Sequence, residues 1–232
     1  MLKKSLLSSA MLVGLLAQQA SAADLFVPEV IIEPELLSWS GCYVGLDIQY
    51  DTGTSGSFFP YSDYRNEVTG PGLSPRAGCD IQLPDSVLVL GVVTDLTIKN
   101  QQDARVVVAG PPAQTLTTSF PWELGLRLRA GVAMDTTLFY LTGGLAVASV
   151  SQNLVIGGFD QTATNTHIGW SVGGGVEFMV TDNISVFAEY LYSDLGTKAY
   201  TFPGANFDGL GLDTLDFFAH NHAIKVGANL RF

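Results

Sequence analysis

Residues 121–130 read Pro121-Trp122-Glu123-Leu124-Gly125-Leu126-Arg127-Leu128-Arg129-Ala130. Successive side chains of a β-strand point to opposite faces. Glu123, Arg127 and Arg129 therefore share one face, and Trp122, Leu124, Leu126, Leu128 and Ala130 take the other. The same period returns along the chain. It predicts eight strands near 41–51, 74–83, 86–99, 120–132, 137–149, 167–180, 183–193 and 220–232.

The first strand sets Asp47, Gln49 and Asp51 against Val44, Leu46, Ile48 and Tyr50. The last sets Lys225, Asn229 and Arg231 against Ile224, Val226, Ala228, Leu230 and Phe232. Arg76, Asp80, Asp95, Lys99, Glu177 and Glu189 keep to the polar parity of their strands as well, so thirteen charged residues lie on that parity and none on the apolar one. A charge on a lipid-facing wall near the membrane midplane costs about 2–4 kcal/mol, which would produce this exclusion. A soluble β-sandwich also alternates, but its charged face looks out to water.

The spacers decide between the two. Long segments at 52–73, 100–119, 150–166 and 194–219 alternate with short ones at Pro84-Asp85, 133–136 and Thr181-Asp182. Long loops on one side and tight turns on the other belong to an outer-membrane barrel. Outward aromatics fall toward both ends, with Tyr50, Trp122, Trp170, Tyr190 and Tyr192 near the long loops and Phe139, Phe178 and Phe232 near the turns. Amphipathic rings prefer the headgroup level.

Composition agrees. Only 14% of residues are charged and the mean hydropathy is +0.28, whereas a soluble domain carries about a quarter charged residues. Beyond the N-terminus no stretch of eighteen apolar residues occurs, which excludes helical membrane spans. A closed barrel is the other structure that satisfies its backbone in lipid.

The N-terminus reads as a signal peptide over 1–22, with Lys3 and Lys4, an apolar run over 6–17 and the small-residue site Ala20-Ser21-Ala22. No cysteine sits at the cleavage point, and Cys42 lies far beyond it. Residues 23–40 are expected as a periplasmic extension and 41–232 as the barrel domain. Without Lys3 and Lys4 the chain keeps nine basic residues against 22 acidic ones, a formal charge of −13 that excludes nucleic acid as a partner.

Several stretches resemble a known family. Trp39-Ser40-Gly41-Cys42-Tyr43-Val44-Gly45 is similar to the first strand of the small outer-membrane proteins of alphaproteobacteria, the opacity and porin-like surface antigens. Leu141-Thr142-Gly143-Gly144-Leu145-Ala146 resembles their fifth strand. Gly169-Trp170-Ser171-Val172-Gly173-Gly174-Gly175-Val176-Glu177, with Thr181-Asp182-Asn183 and 188–196, is the nearest match. The close at 222–232 resembles the family's terminal strand, whose final aromatic, here Phe232, is the signal read by the barrel-assembly machinery. The resemblance implies an antiparallel up-and-down barrel of eight strands in a Gram-negative outer membrane, among phospholipid and lipopolysaccharide. Some members of the group bind haemin. The chain departs from the pattern at Cys42, at Cys79 and at Val93, where a buried acid is common.

Asp47, Asp80, Asp95, Glu123, Arg127, Arg129, Glu177, Glu189 and Lys225 are expected to form an ion-pair network inside the barrel. An eight-stranded interior is just wide enough for side chains to fill it, which favours a salt-bridged plug over a gated ion path. Paired carboxylates among arginines, with no His or Ser close by in sequence, do not read as a catalytic site. Gly173-Gly174-Gly175 lacks the Lys and Ser or Thr of a phosphate loop. The long segments hold Phe58, Phe59, Tyr61, Tyr64, Tyr200, Phe202, Phe207, Phe217 and Phe218; these rings either pack on one another above the membrane or form a binding surface.

Cys42 and Cys79 fall near the same end of adjacent antiparallel strands and on the same face. Opposed Cβ atoms there lie about 4.5–5.5 Å apart, and the stagger of the barrel decides whether the two cysteines meet. The only histidines, His167, His220 and His222, open strands six and eight and are candidate haem or metal ligands at the rim. Parity turns His167 inward and the other two outward, which argues against one convergent site. The expected function is structural, in envelope integrity and the display of antigenic loops, with no enzymatic activity. The alternatives are binding of haemin or a host surface ligand through 52–73 and 194–219, and a narrow ion channel.

Overall fold

The computed structural model describes residues 38–58, 63–108, 114–204 and 213–232. The expected signal peptide and most of the expected extension, together with Phe59, Tyr61 and Phe207, lie outside these residues. Eight strands form one closed ring: β1 (Gly41–Phe58), β2 (Asp63–Gln82), β3 (Leu88–Val108), β4 (Gln114–Met134), β5 (Thr137–Ile156), β6 (Phe159–Met179), β7 (Ile184–Thr201) and β8 (Thr214–Arg231). Every neighbour is antiparallel, and β1 closes on β8 in the register Tyr43↔Arg231 through Ser57↔Phe217. The ring leaves no open edge, so the backbone is satisfied without water.

The wall has the composition of a lipid-facing surface. Ile48, Leu128, Leu141, Leu145, Ile168, Ile224 and Val226 all stand exposed on the outside. Tyr50, Trp170 and Tyr190 stand exposed toward the end away from Gly41 and Phe232, and Phe139, Phe178 and Phe232 toward the opposite end. All thirteen charged residues of the polar parity are buried inside.

Most of what the sequence assigned to long loops is strand. The expected loop at 150–166 shrinks to a turn at Gly157-Gly158, whose φ angles of 57° and 153° favour glycine. The expected loops at 52–73, 100–119 and 194–219 likewise continue the ladders of β1–β2, β3–β4 and β7–β8. Above the apolar band the outward positions carry residues such as Thr115, Thr117, Thr162 and Thr164. Threonine favours strand, but it gives no hydropathy contrast from which alternation can be read.

Two irregularities then reset which residues face inward. A register shift between Ser119 and Trp122 accommodates Pro121, which has no N–H for the ladder. Leu116, Thr118 and Phe120 point inward above it, and Glu123, Arg127 and Arg129 point inward below it. A second shift between Asp194 and Thr197 contains Gly196 at φ 66°; Leu195 keeps the inward parity of Leu191 and Ser193, and Tyr200 turns inward beyond the shift.

Candidate functional site

The interior is a stack of polar tiers closed at one end by aromatics and at the other by an apolar layer. Nearest Gly41 and Phe232, Arg129 and Arg231 share the same two carboxylates. Arg129 Nη1 lies 3.1 Å from Asp80 Oδ2 and Arg129 Nη2 bonds Glu177. Arg231 reaches Asp80 at 3.0 Å and Glu177 at 3.1 Å. Ser185 and Asn229 also donate to Glu177 Oε1, at 2.5 and 3.0 Å. Rings cover the guanidinium faces: Arg129 lies 3.9 Å from the centroid of Tyr140, and Arg231 lies 5.2 Å from Trp39 and 5.1 Å from Tyr43. Cation–π contact of this kind strengthens as water is excluded.

Trp39, just ahead of β1, is fully buried. Its backbone N–H donates to Gln82 Oε1 at 3.1 Å, and its carbonyl accepts from Arg231 Nη2 at 2.6 Å.

In the middle tier Asp95 is 2.7 Å from Arg127 and also binds Lys225. Glu189 takes Arg76 and Arg127, each at 3.6 Å, and the Tyr140 hydroxyl at 3.0 Å. Arg76 lies 4.0 Å from the Phe187 ring centroid. Asp47 is the least served member. Its closest cation, Lys225, is 4.0 Å away, and neither carboxylate oxygen has a hydrogen-bond partner among the described residues.

In the tier above, Lys99 bridges Asp51 at 2.9 Å and Glu123 at 2.5 Å. Asn221 donates to both acids, and Ser193 donates to Glu123 at 2.8 Å. Over this tier lies an apolar layer that includes Val68, Leu116, Phe120, Val150, Leu195, Tyr200, Phe202 and Phe217. Tyr200, Phe202 and Phe217 were candidates for an exposed binding surface; the Gly196 irregularity and the long ladders turn them inward instead.

All nine expected network residues thus face one another. Arg76, Lys99, Asp51 and Arg231 complete the set, and their parity was the signal. Tyr43, Tyr140 and Phe187, which cover the guanidinium groups, were missed. Inward alternation alone marks them.

The histidines do not share a site. His167 is buried in the apolar layer, with Nδ1 donating to the Leu195 carbonyl at 3.0 Å and Nε2 2.8 Å from the Tyr200 hydroxyl. His222 and His220 stand on the outer wall, where their Nδ1 atoms meet the hydroxyls of Tyr190 at 2.7 Å and Tyr192 at 3.2 Å. Ligation of one iron by all three is excluded by the wall between them. Cys42 and Cys79 are partners in the β1–β2 register and are joined by a disulfide.

A family model described as the outer membrane protein beta-barrel domain matches residues 8–232. The chain belongs to that family. Its members reside in the outer membrane, and so does this protein. It is similar to the 31 kDa outer-membrane immunogenic protein of Brucella melitensis biotype 1, at 28% identity over 96% of this chain and 98% of the relative. It is also similar to the 25 kDa outer-membrane immunogenic protein of the same organism, at 30% identity over 89% and 85%. These relatives place it among the small alphaproteobacterial barrels. Among solved structures, Neisserial surface protein A superposes with a TM-score of 0.43 at 20% identity, covering 83% of this chain and 98% of that one.

Proposed function

We propose that this family member is a structural surface protein whose barrel carries no open conduit and whose strand ladders project beyond the membrane as the exposed, antigenic part. The observation that carries the reading is the stack of tiers itself. Seven acids and six bases interlock within the ring, with Trp39 beneath them and the Phe120, Tyr200 and Phe217 layer above. An ion would have to break buried pairs to pass, and removing one partner of such a pair costs about 3–5 kcal/mol. The immunogenic relatives support exposure at the cell surface.

Both termini face the periplasm in this reading. The exposed Phe232 ring beside β1 suits a C-terminal signal for the assembly machinery. The test is single-channel recording of the folded protein in planar bilayers. No resolved conductance steps are expected. Regular ohmic steps that persist in the Phe120→Trp variant would establish a channel and end the closed-barrel reading. Binding of haemin or a host ligand is the rival. It has to act without Tyr200, Phe202 and Phe217, whose rings are buried.

A further inference from the structure

Asp47 stands apart among the seven acids buried inside the ring. Among the described residues, each of the other six accepts at least one hydrogen bond on its carboxylate. Asp47 accepts none on either oxygen, although it is buried. Its closest cation, Lys225, is 4.0 Å away and bonds Asp95 instead. Six buried bases against seven acids leave the interior one positive charge short.

The side chains next to Asp47 also accept rather than donate. Ser74 lies directly across from it in the β1–β2 register, and its proton is committed elsewhere. Thr97 Oγ1 donates to Gln49 Oε1 at 3.3 Å, so Ser74 is the donor in its 2.9 Å bond to Thr97. Only lone pairs of the Ser74 hydroxyl remain for Asp47. On the other side, β8 places Asn229 across from Gly45, the next inward position of β1. Asn229 Nδ2 donates to Glu177 Oε1 at 3.0 Å, and an ionised carboxylate only accepts, so the orientation of the amide follows. Its Oδ1 lies over Gly45, 2.3 Å from where a Cβ would stand, and has no hydrogen-bond partner among the described residues. Gly227, across from Asp47, makes similar room, since a Cβ there would fall 2.7 Å from Asp47 Cβ. Three adjacent strands thus bring together four oxygen acceptors with no donor among them.

We propose that Asp47, Ser74 and Asn229 hold one alkali metal cation inside the ring. Hard cations take oxygen ligands, carboxylate and amide oxygens among them. Charge sets the valence. One positive charge balances the interior, whereas a divalent ion would leave a surplus beside Lys225. A water molecule would supply donors but no charge, and an uncompensated buried carboxylate is costly. The ion-pair tiers enclose the site, so the ion is taken up as the ring closes and stays as a fixed part of the fold. It is not cargo in transit, and the closed-barrel reading does not depend on it.

The experiment is urea unfolding of the folded barrel in detergent at pH 8, in sodium, potassium or N-methylglucamine chloride at equal ionic strength. An ion held by the folded state alone lowers the unfolding equilibrium constant about tenfold for each tenfold rise in its concentration above the dissociation constant. That dependence is expected in at least one alkali salt and not in N-methylglucamine. Asp47→Asn should abolish it and Ser74→Ala should weaken it, while Glu67→Gln, on the outer wall, leaves it unchanged. Crystals of the unaltered protein grown in thallium(I) acetate should show an anomalous peak between Asp47, Ser74 and Asn229, a readout that needs no variant to fold. Equal midpoints in all three salts, a cation dependence that survives Asp47→Asn, or no anomalous peak at that place overturns the proposal. A midpoint that ignores sodium and potassium but rises on acidification overturns it too, by assigning the compensating charge to a proton.

Discussion

Cys42 and Cys79 pair in register across β1 and β2 with Cα atoms 3.9 Å apart, and Cys42 also exchanges both backbone hydrogen bonds with Phe232. One residue thus ties the first hairpin covalently and closes the ring non-covalently. The bond links positions 37 residues apart, so it removes conformational freedom from the unfolded chain. Cys42→Ser with Cys79→Ser should lower the stability of the folded barrel by about 2–4 kcal/mol, read from its denaturant midpoint in detergent. Mass spectrometry finding two alkylatable thiols in protein from an oxidising periplasm would contradict the bond itself.

The interior pairs should respond unequally to loss of a single acid. Asp95 answers both Arg127 and Lys225, and Asp95→Asn should cost about 3–5 kcal/mol by leaving buried cations uncompensated. Asp47 is the seventh acid facing six bases, and its oxygens lack hydrogen bonds among the described residues. Asp47→Asn should therefore cost far less than Asp95→Asn, or stabilise the barrel. Equal destabilisation in urea titrations would show that Asp47 takes a full share in the network.

Tyr200 ties the apolar layer to the ladder. Its hydroxyl sits 2.8 Å from His167 Nε2 and 3.0 Å from the Val150 carbonyl oxygen. Tyr200→Phe keeps the ring against Phe217 but strands both buried partners, at a cost of about 1–3 kcal/mol. The loss should appear first as faster amide exchange in the upper parts of β5 and β6. Unchanged exchange there would mean that water replaces the hydroxyl.

Replacing His167, His220 and His222 together by alanine should leave any haemin affinity unchanged. Both nitrogens of His167 are engaged inside the ring, while His220 and His222 belong to the outer wall. A loss of haemin absorbance in the triple variant, with folding intact, would show that at least one histidine is a ligand.

Proteolysis of intact cells tests the orientation. Cleavage is expected within 59–62, 109–113 or 205–212, which join the ladders at the end away from the termini. Cleavage at Asp85 or Asp182 would place the short turns outside and reverse the barrel.

The alternation in Trp122-Glu123-Leu124-Gly125-Leu126-Arg127 was enough by itself to establish strands, a lipid-facing wall and a charged interior. A side-chain period of two is a local property, and a charge on the lipid side is too costly to survive. The same parity placed all thirteen charges inside and separated His167 from His220 and His222. It could not say which acid meets which base, because those partners come from strands far apart in sequence, 54 residues for Glu177 and Arg231 and 151 for Asp80 and Arg231, and only the stagger of the closed ring aligns them. The register of the β1–β2 hairpin decided that Cys42 faces Cys79. The inward turn of Phe120 and Tyr200 depended on irregularities at Pro121 and Gly196, where the backbone breaks the period that made the rest legible.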